Sequence, residues 1–397
     1  MDRLFKTYGR LLADTDLRFT RYLYEKINWD NRLIVIKGAK GVGKTTMLLQ
    51  RIKRTFPRMQ EALYVSLDNM WFATHTILEL AEYHYTHGGT HLFLDEVHKY
   101  RDWQREVKNI YDSYPKLHLV ITGSSMLKLD ESLVADLSRR HRPYTMEGLS
   151  FREYLLLEQV ASLPTLTIDE ILSNHFSLAS QITADVKVLQ HFEQYVKTGY
   201  YPFYQEEGDG FTDRLGQVID TIVNSEIPAV SNIEYDSIYK TKQLMGILAE
   251  RSPYTLNISS LCNTLQASRN NVLKLIELLD KAALMRRLYS ADNGMKMLTK
   301  PEKILFYNTN LMYCLTPNVD SGTMRETYFA SQLSVAHQLY MPSQGDFVVD
   351  GTWLFEVGGR GKGFTQIKDI SQSFVVNDDT EIGYGNKIPL WLFGLTY

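Results

Sequence analysis

The chain has little that would tie it to an oxidising compartment, a lipid bilayer or a polyanionic partner. Only two cysteines, Cys262 and Cys314, occur in 397 residues, and neither stands in a CxxC or Cys/His spacing. That argues against a disulfide framework or a zinc site and favours reduced, buried thiols as the expectation. No run approaches the roughly eighteen apolar residues of a membrane span. The amino end, Met1-Asp2-Arg3-Leu4-Phe5-Lys6, carries charges where a signal peptide would be apolar. No membrane partner and a cytoplasmic location are therefore expected. With 43 basic and 46 acidic residues the formal charge is −3, so no chain-wide basic field draws nucleic acid, although a local basic site stays open. Length and composition are those of a globular protein of about two to four domains.

What is present begins with Gly38-Ala39-Lys40-Gly41-Val42-Gly43-Lys44-Thr45, which satisfies GxxxxGK[ST] at every defined position and follows the apolar run Leu33-Ile34-Val35-Ile36. Such a strand-to-helix turn is a phosphate cradle. Its glycines let backbone N–H groups curl around a polyphosphate, and the next helix points its positive end at the anion. Lys44 would reach the β- and γ-phosphates of ATP, and Thr45 would offer its hydroxyl to Mg²⁺. The cradle then comprises Gly38 to Thr45 together with Thr46. The alternative is a Gly-rich turn without nucleotide, but Met47, Leu48 and Ile52 continue a helical apolar face, as the motif requires.

Further apolar segments at 62–67, 91–94 and 117–121 alternate with helical or loop sequence, the pattern of a parallel, doubly wound sheet. The third ends in Asp95-Glu96, some fifty residues after the cradle. In this Walker B arrangement Asp95 serves the Mg²⁺ shell and Glu96 polarises the attacking water. The fourth runs into Thr122-Gly123-Ser124-Ser125, which places hydroxyls, Ser124 among them, where they can meet the γ-phosphate or water. A plain turn capping the next helix is the alternative. The cluster Arg139-Arg140-His141-Arg142 offers an arginine to neutralise charge on the γ-phosphoryl group, in cis or from a neighbouring subunit, or else forms a solvated turn.

These motifs, followed by Leu149-Ser150-Phe151-Arg152-Glu153-Tyr154, resemble the "GR…PLSFxE" order of the prokaryotic AAA-like ATPases that carry a C-terminal domain of uncharacterised function. The resemblance extends through Gly199-Tyr200-Tyr201-Pro202 ("GGxP"), Arg325-Glu326-Thr327 ("GxxxENxV") and Ile388-Pro389-Leu390-Trp391-Leu392-Phe393-Gly394. It covers nearly the whole chain. It departs at Arg139 for the family glycine, at Gly148 for the proline before Leu-Ser-Phe, and at Ala39-Lys40 for the usual Pro-Arg. The resemblance implies ATP hydrolysis and singles out Arg140 as the matching arginine.

Downstream, residues 149–235 read as a helical lid or connector. Within 236–300, Ile258, Leu261 and Leu265 fit one helical face, and Val272, Leu275, Ile276 and Leu279 another, with Gln266-Ala267-Ser268 between them. With Leu284 to Tyr289 as a strand, this suggests a winged helix-turn-helix. Its second helix would present Asn270, Lys274, Glu277 and Lys281 outward, with Arg269 nearby. Ten basic against five acidic residues give 236–300 a net +5, and six against ten give 301–397 a net −4. Double-stranded DNA is thus a candidate partner for 236–300, a protein contact the alternative.

The last hundred residues suggest strands at 347–349, 353–357 and 389–393 and helices around Glu326 and at 364–375. Glu326, Asp346 and Glu356 fall in the order seen in restriction-endonuclease-like domains, which resemble this region. That fold places a lysine two residues past the last acid, where this chain has Gly358, with Arg360 and Lys362 nearby. The resemblance implies the fold more than cleavage.

The expected architecture is α/β throughout: a P-loop NTPase core at 1–148, a helical lid at 149–235, a winged helix at 236–300 and a restriction-endonuclease-like, cleavage-inactive domain at 301–397. The expected function is Mg²⁺-dependent ATP binding and hydrolysis to ADP in an AAA-like switch associated with DNA, with oligomerisation open. A nucleotide-dependent signalling module with an unknown protein partner and an ATP-regulated nuclease are the alternatives.

Overall fold

A computed structural model describes residues 1–123, 140–228, 235–250, 257–290 and 301–397. The chain divides into two compact units, Met1–Gly148 and Leu149–Tyr397.

In the first unit five parallel strands form one sheet in the order β2-β3-β4-β1-β5. They are β1 (Leu33–Lys37), β2 (Ala62–Ser66), β3 (His91–Asp95), β4 (His118–Gly123) and β5 (Arg142–Thr145). Helices α3 (Lys44–Thr55), α4 (Ile77–Thr86) and α5 (Trp103–Ser113) connect them, preceded by α1 (Asp2–Asp14) and the short α2 (Leu23–Lys26). Leu33 to Ile36 are all buried, as expected of a strand covered on both faces. Helix α4 starts on a capping box in which the Thr76 hydroxyl accepts from Glu79 N–H and the Glu79 carboxylate accepts from Thr76 N–H at 2.9 Å. The segment after α1 is pinned along α3. Gln50 donates to the carbonyls of Asp16 and Phe19, each at 2.7 Å, and Lys53 donates to those of Ala13 and Thr15 at 2.9 and 2.8 Å.

Where β1 becomes the loop, the exit of β5 crosses it closely. Met146 N–H donates to Lys37 O at 2.7 Å, and a Cβ on Gly38 would overlap the Met146 carbonyl oxygen.

The second unit opens with helices Phe151–Leu157, Ile168–Asp185, Val188–Thr198 and Phe211–Thr221, on an aromatic cluster that includes Phe151, Phe192, Tyr195 and Tyr328. Helices Tyr235–Glu250, Ile258–Leu265 and Arg269–Lys281 follow. At the turn between the last two, Gln266 takes a left-handed φ of 46° and the Ser268 hydroxyl caps the next helix by accepting from Asn271 N–H. Strands β6 (Met285–Leu288) and β7 (Lys303–Phe306) pair antiparallel. After helices Thr309–Leu315 and Ser321–Leu333, a mixed sheet runs β12-β11-β10-β9-β8. Its strands are β8 (Leu339–Tyr340), β9 (Phe347–Val349), β10 (Trp353–Gly358), β11 (Ser373–Asn377) and β12 (Lys387–Pro389). None of the described helices is long and apolar enough to cross a membrane.

Three expectations need correction. No helix spans 364–375: the chain turns there, and strand β11 begins at Ser373 with all five of its residues buried. Ile367, Ile370 and Phe374 imitate helical spacing, but Gln372 at φ 56° interrupts the chain before the β-branched run. The strand placed at 389–393 is β12 ending at Pro389, followed by a 3₁₀ helix Leu390–Leu395, because proline cannot continue a ladder and a short apolar run does not distinguish the two states. The two cysteines are free but only half-buried, and burial pushes the Cys314 thiol up to about 11.

At the amino edge of the first sheet His91 stacks on His118 at 4.6 Å and packs tilted against Phe56 at 4.6 Å, and His84 bonds the His91 carbonyl at 2.9 Å. Burial, followed by repulsion from His118, Arg51 and His84, lowers the His91 pKa to about 4. Below its ordinary 6.5 the unfolded chain takes up this proton while the folded chain refuses it until about pH 4. Stability from this group is therefore full above pH 6.5 and lost as pH falls from there to 4. The Tm is expected to drop across that window in calorimetry, and less steeply in His91→Phe, which keeps the stacking. Gly38→Ala, forced against Met146, should lose about 1–3 kcal/mol of stability in denaturant unfolding.

Candidate active site

The turn after β1 places its glycines where the motif needs them. Gly41 and Gly43 have φ of 87° and 96°, a region side chains disfavour, and α3 begins at Lys44 immediately after. Lys44 is 5% exposed, and its ammonium donates to the carbonyls of Gly38 and Ala39, both at 2.8 Å. An anionic phosphate would compete with these neutral carbonyls for the ammonium, since attraction between opposite charges adds to the hydrogen bond. Ala39 and Val42 are buried, Lys40 is half-buried, and Gly41 and Thr46 face solvent.

Asp95 closes β3 and is 2% exposed. Thr45 Oγ1 donates to its Oδ2 at 2.6 Å, Tyr64 Oη donates to the same atom at 2.8 Å, and Thr122 Oγ1 and Glu96 N–H donate to Oδ1. One carboxylate thus joins α3, β2, β3 and β4. Burial first, then the charge of Asp95, raises the Tyr64 hydroxyl's pKa far above its ordinary value, so it stays a donor. Glu96 follows with a left-handed φ of 53°, its side chain about a quarter exposed and Oε2 at 3.4 Å from Nε2 of buried His98. Lys44, Thr45, Asp95 and Glu96 therefore meet at the carboxyl edge of the sheet, at the ends of β1 and β3 on either side of the central strand β4, where open α/β sheets bind ligands.

Other expected members are placed elsewhere. Ser124, Ser125 and Arg139 lie outside the described residues. The Thr122 hydroxyl is committed to Asp95. Arg140 is a correction: β5 runs parallel to β1 with Arg142 beside Ile34 and Thr145 beside Lys37, so Arg140 precedes the amino edge. The cradle lies roughly 20 Å away along the strand at about 3.3 Å per residue. The Arg140 guanidinium instead pairs with Asp112 of α5 at 3.1 Å.

Sequence reasoning missed Tyr64 and Arg21. Tyr64 sits in the second apolar segment and gives its hydroxyl to Asp95, whereas Arg21 is 5% exposed and donates to the backbone carbonyls of Val42, Glu147 and Gly148. No side-chain pattern announces such acceptors.

In the second unit Asp346 accepts from Val357 N–H at 2.7 Å, beside Glu356 on β10. Lys303 pairs with Glu326 and Lys362 with Glu356, and Gln366 lies against the same Glu356 carboxylate. A Cβ on Gly358 would lie 2.7 Å from Lys362 Cβ and Cγ, so the stem of Lys362 fills the space of the side chain that position 358 lacks. Burial, then Asp346 against the opposing lysines, raises the pKa values of Glu326 and Glu356. On the helix Arg269–Lys281, Asn270 and Lys274 are exposed, Lys281 pairs with Glu277 at 3.2 Å, and Arg287 pairs with Asp280 at 2.9 Å. Among the described residues no group of three or more His, Cys, Asp or Glu is set to hold a metal.

Residues 30–155 match a family described as "AAA domain", and residues 189–321 match one described as "Domain of unknown function (DUF8612)". An uncharacterised protein of Methanocaldococcus jannaschii is 27% identical over 326 residues, covering 74% of this chain and 68% of the relative. An uncharacterised protein of Haemophilus influenzae is 24% identical over 255 residues, covering 63% and 55%. Among solved structures, the Walker-type ATPase of Pyrococcus abyssi is 13% identical and covers 76% of this chain and 99% of its own, with a TM-score of 0.45. AMPPCP-bound DnaA of Aquifex aeolicus is 15% identical and covers 70% and 87%, with a TM-score of 0.28. The chain carries a P-loop ATPase domain of the AAA type, followed by a C-terminal region that contains a domain of unknown function.

Proposed function

We propose that the protein is a Mg²⁺-dependent ATPase that works as a molecular switch in the cytoplasm. The observation that carries this reading is the convergence of Lys44, Thr45 and Asp95 at one sheet edge, with the Thr45 hydroxyl and the Asp95 carboxylate 2.6 Å apart. Hard oxygen donors of this kind suit Mg²⁺, an ion that completes its shell with water and phosphate oxygens. Mg²⁺ held by Thr45 and Asp95 would neutralise charge on the β- and γ-phosphates. Lys44 binds and orients those phosphates, Tyr64 and Thr122 hold the Asp95 carboxylate in place, and Glu96 orients the attacking water and takes up its proton. Arg140 acts, in this proposal, only on the site of a neighbouring subunit. Lys44→Ala is expected to abolish turnover and weaken nucleotide binding. Glu96→Gln should bind ATP and hydrolyse it very slowly, whereas Asp95→Asn should lose metal-dependent affinity as well. Turnover and fluorescent-nucleotide titrations check this, and equal affinity losses in the two acid variants would remove the division of labour.

The net +5 of residues 236–300 and exposed Asn270, Lys274 and Arg269 favour duplex DNA as the partner of the Ile258–Lys281 helix pair. The 301–397 region is proposed not to cleave it. The reason differs from the one the sequence suggested: an ammonium is present, since Lys362 stands in for position 358, but Lys362 and Lys303 are paired with the very carboxylates a divalent ion would need. ATP turnover measured with and without duplex DNA should show stimulation, and the DNA should emerge intact in Mg²⁺ or Mn²⁺. Unchanged turnover favours a protein partner. Cutting that disappears in Glu356→Ala and survives in Lys44→Ala would assign a nuclease to this region.

A further inference from the structure

We infer that Arg21, assisted by Tyr22, is a positioning residue that fixes one peptide plane of the phosphate cradle and couples it to the segment through which the chain leaves the first unit. The inference rests on the ATPase reading. Arg21 Nη1 donates to Val42 O, inside the cradle, while Nη2 donates to Glu147 O at 2.8 Å and Gly148 O at 2.7 Å. Tyr22 Oη donates to Thr145 O at 3.2 Å and accepts from Glu147 N–H at 3.3 Å. The neighbouring residues thus grip both ends of one arrangement.

The geometry has two consequences. In a trans peptide the C=O and N–H point in opposite directions, so drawing the Val42 carbonyl towards the guanidinium aims the Gly43 N–H the other way. We assign that N–H to the phosphates, and Gly43, at φ 96°, accepts the orientation without side-chain strain. Secondly, a guanidinium is a rigid planar fork, so Val42 cannot shift without moving Arg21 or giving up one of its bonds. Because the same fork holds Glu147 and Gly148, a change in the cradle reaches residues 147–148 through a single side chain. Met146 N–H on Lys37 O, at 2.7 Å, adds a backbone link between the same two segments. Taking a guanidinium out of water is costly unless it is well hydrogen-bonded, so a merely space-filling role would be better met by an apolar residue.

The test uses the full chain and two variants, Arg21→Lys and Tyr22→Phe. Affinity is read by titration with a fluorescent ATP analogue, and coupling by hydrogen exchange of amides 145–149 with and without ADP. In the parent, nucleotide should slow exchange at these amides. Arg21→Lys keeps the charge but loses the fork, and should raise the nucleotide Kd about tenfold, the scale of a lost charge-assisted bond, while abolishing the exchange response. Tyr22→Phe, which removes one hydroxyl, should shrink that response and decides the matter if Arg21→Lys does not fold. Parental affinity and response in Arg21→Lys, or a full response in Tyr22→Phe, overturns the inference. So does a parent that binds nucleotide with no change at 145–149. A parent that binds no nucleotide at all fails at the earlier step and overturns the ATPase reading together with this one.

Discussion

The first unit depends on how one buried carboxylate is satisfied. Asp95 accepts hydrogen bonds from the hydroxyls of Thr45, Tyr64 and Thr122 and from the N–H of Glu96, so strands β2, β3 and β4 and the start of α3 are held in mutual register by a single side chain. A charge this deep is tolerable only with such a shell. The same shell makes the carboxylate rigid before any cation approaches, and rigid placement of charge is what electrostatic catalysis requires. Truncating any one donor leaves an acceptor short in a region of low dielectric, so stability and chemistry are coupled here rather than separable.

Much of this was legible in the sequence because the local rules and the chemistry coincide. Gly38 to Thr45 read as a cradle since glycines, lysine and hydroxyl stand at spacings that only a strand-to-helix turn exploits, and the five strands of the first sheet fall within a few residues of the apolar segments or, for β5, of the alternating stretch that announced them. Register was not legible. Arg140 looked like a catalytic arginine from its order in the chain, but order says nothing of which edge of a parallel sheet a residue meets, and pairing of Arg142 with Ile34 puts it at the far one. Arg21 was silent for another reason: its acceptors are carbonyls, which every residue owns. At 364–375 a helix was expected where the chain turns and then enters β11, whose burial on both faces makes it a strand.

The second unit shows how an absence in sequence can be made good in space. Gly358 leaves its strand position without a side chain, and Lys362, four residues on, fills that space with its stem and sets its ammonium on Glu356. Motif spacing is a proxy for geometry, and a loop containing Gly359, Gly361 and Gly363 loosens that proxy. Ion pairing then decides what the cluster can do, since each ammonium that settles on a carboxylate lowers its attraction for another cation.

Glu96 holds a left-handed backbone, φ 53°, which costs a residue with a β-carbon on the order of 1 kcal/mol relative to glycine. Glycine at this position would relax the chain and gain stability, yet delete the carboxylate that we propose orients the attacking water. Under the proposed chemistry, selection for a more robust fold and selection for turnover pull this one position in opposite directions, and a lineage that drifts towards thermostability has a short path, a single codon's worth of change, to a protein that would grip nucleotide without hydrolysing it.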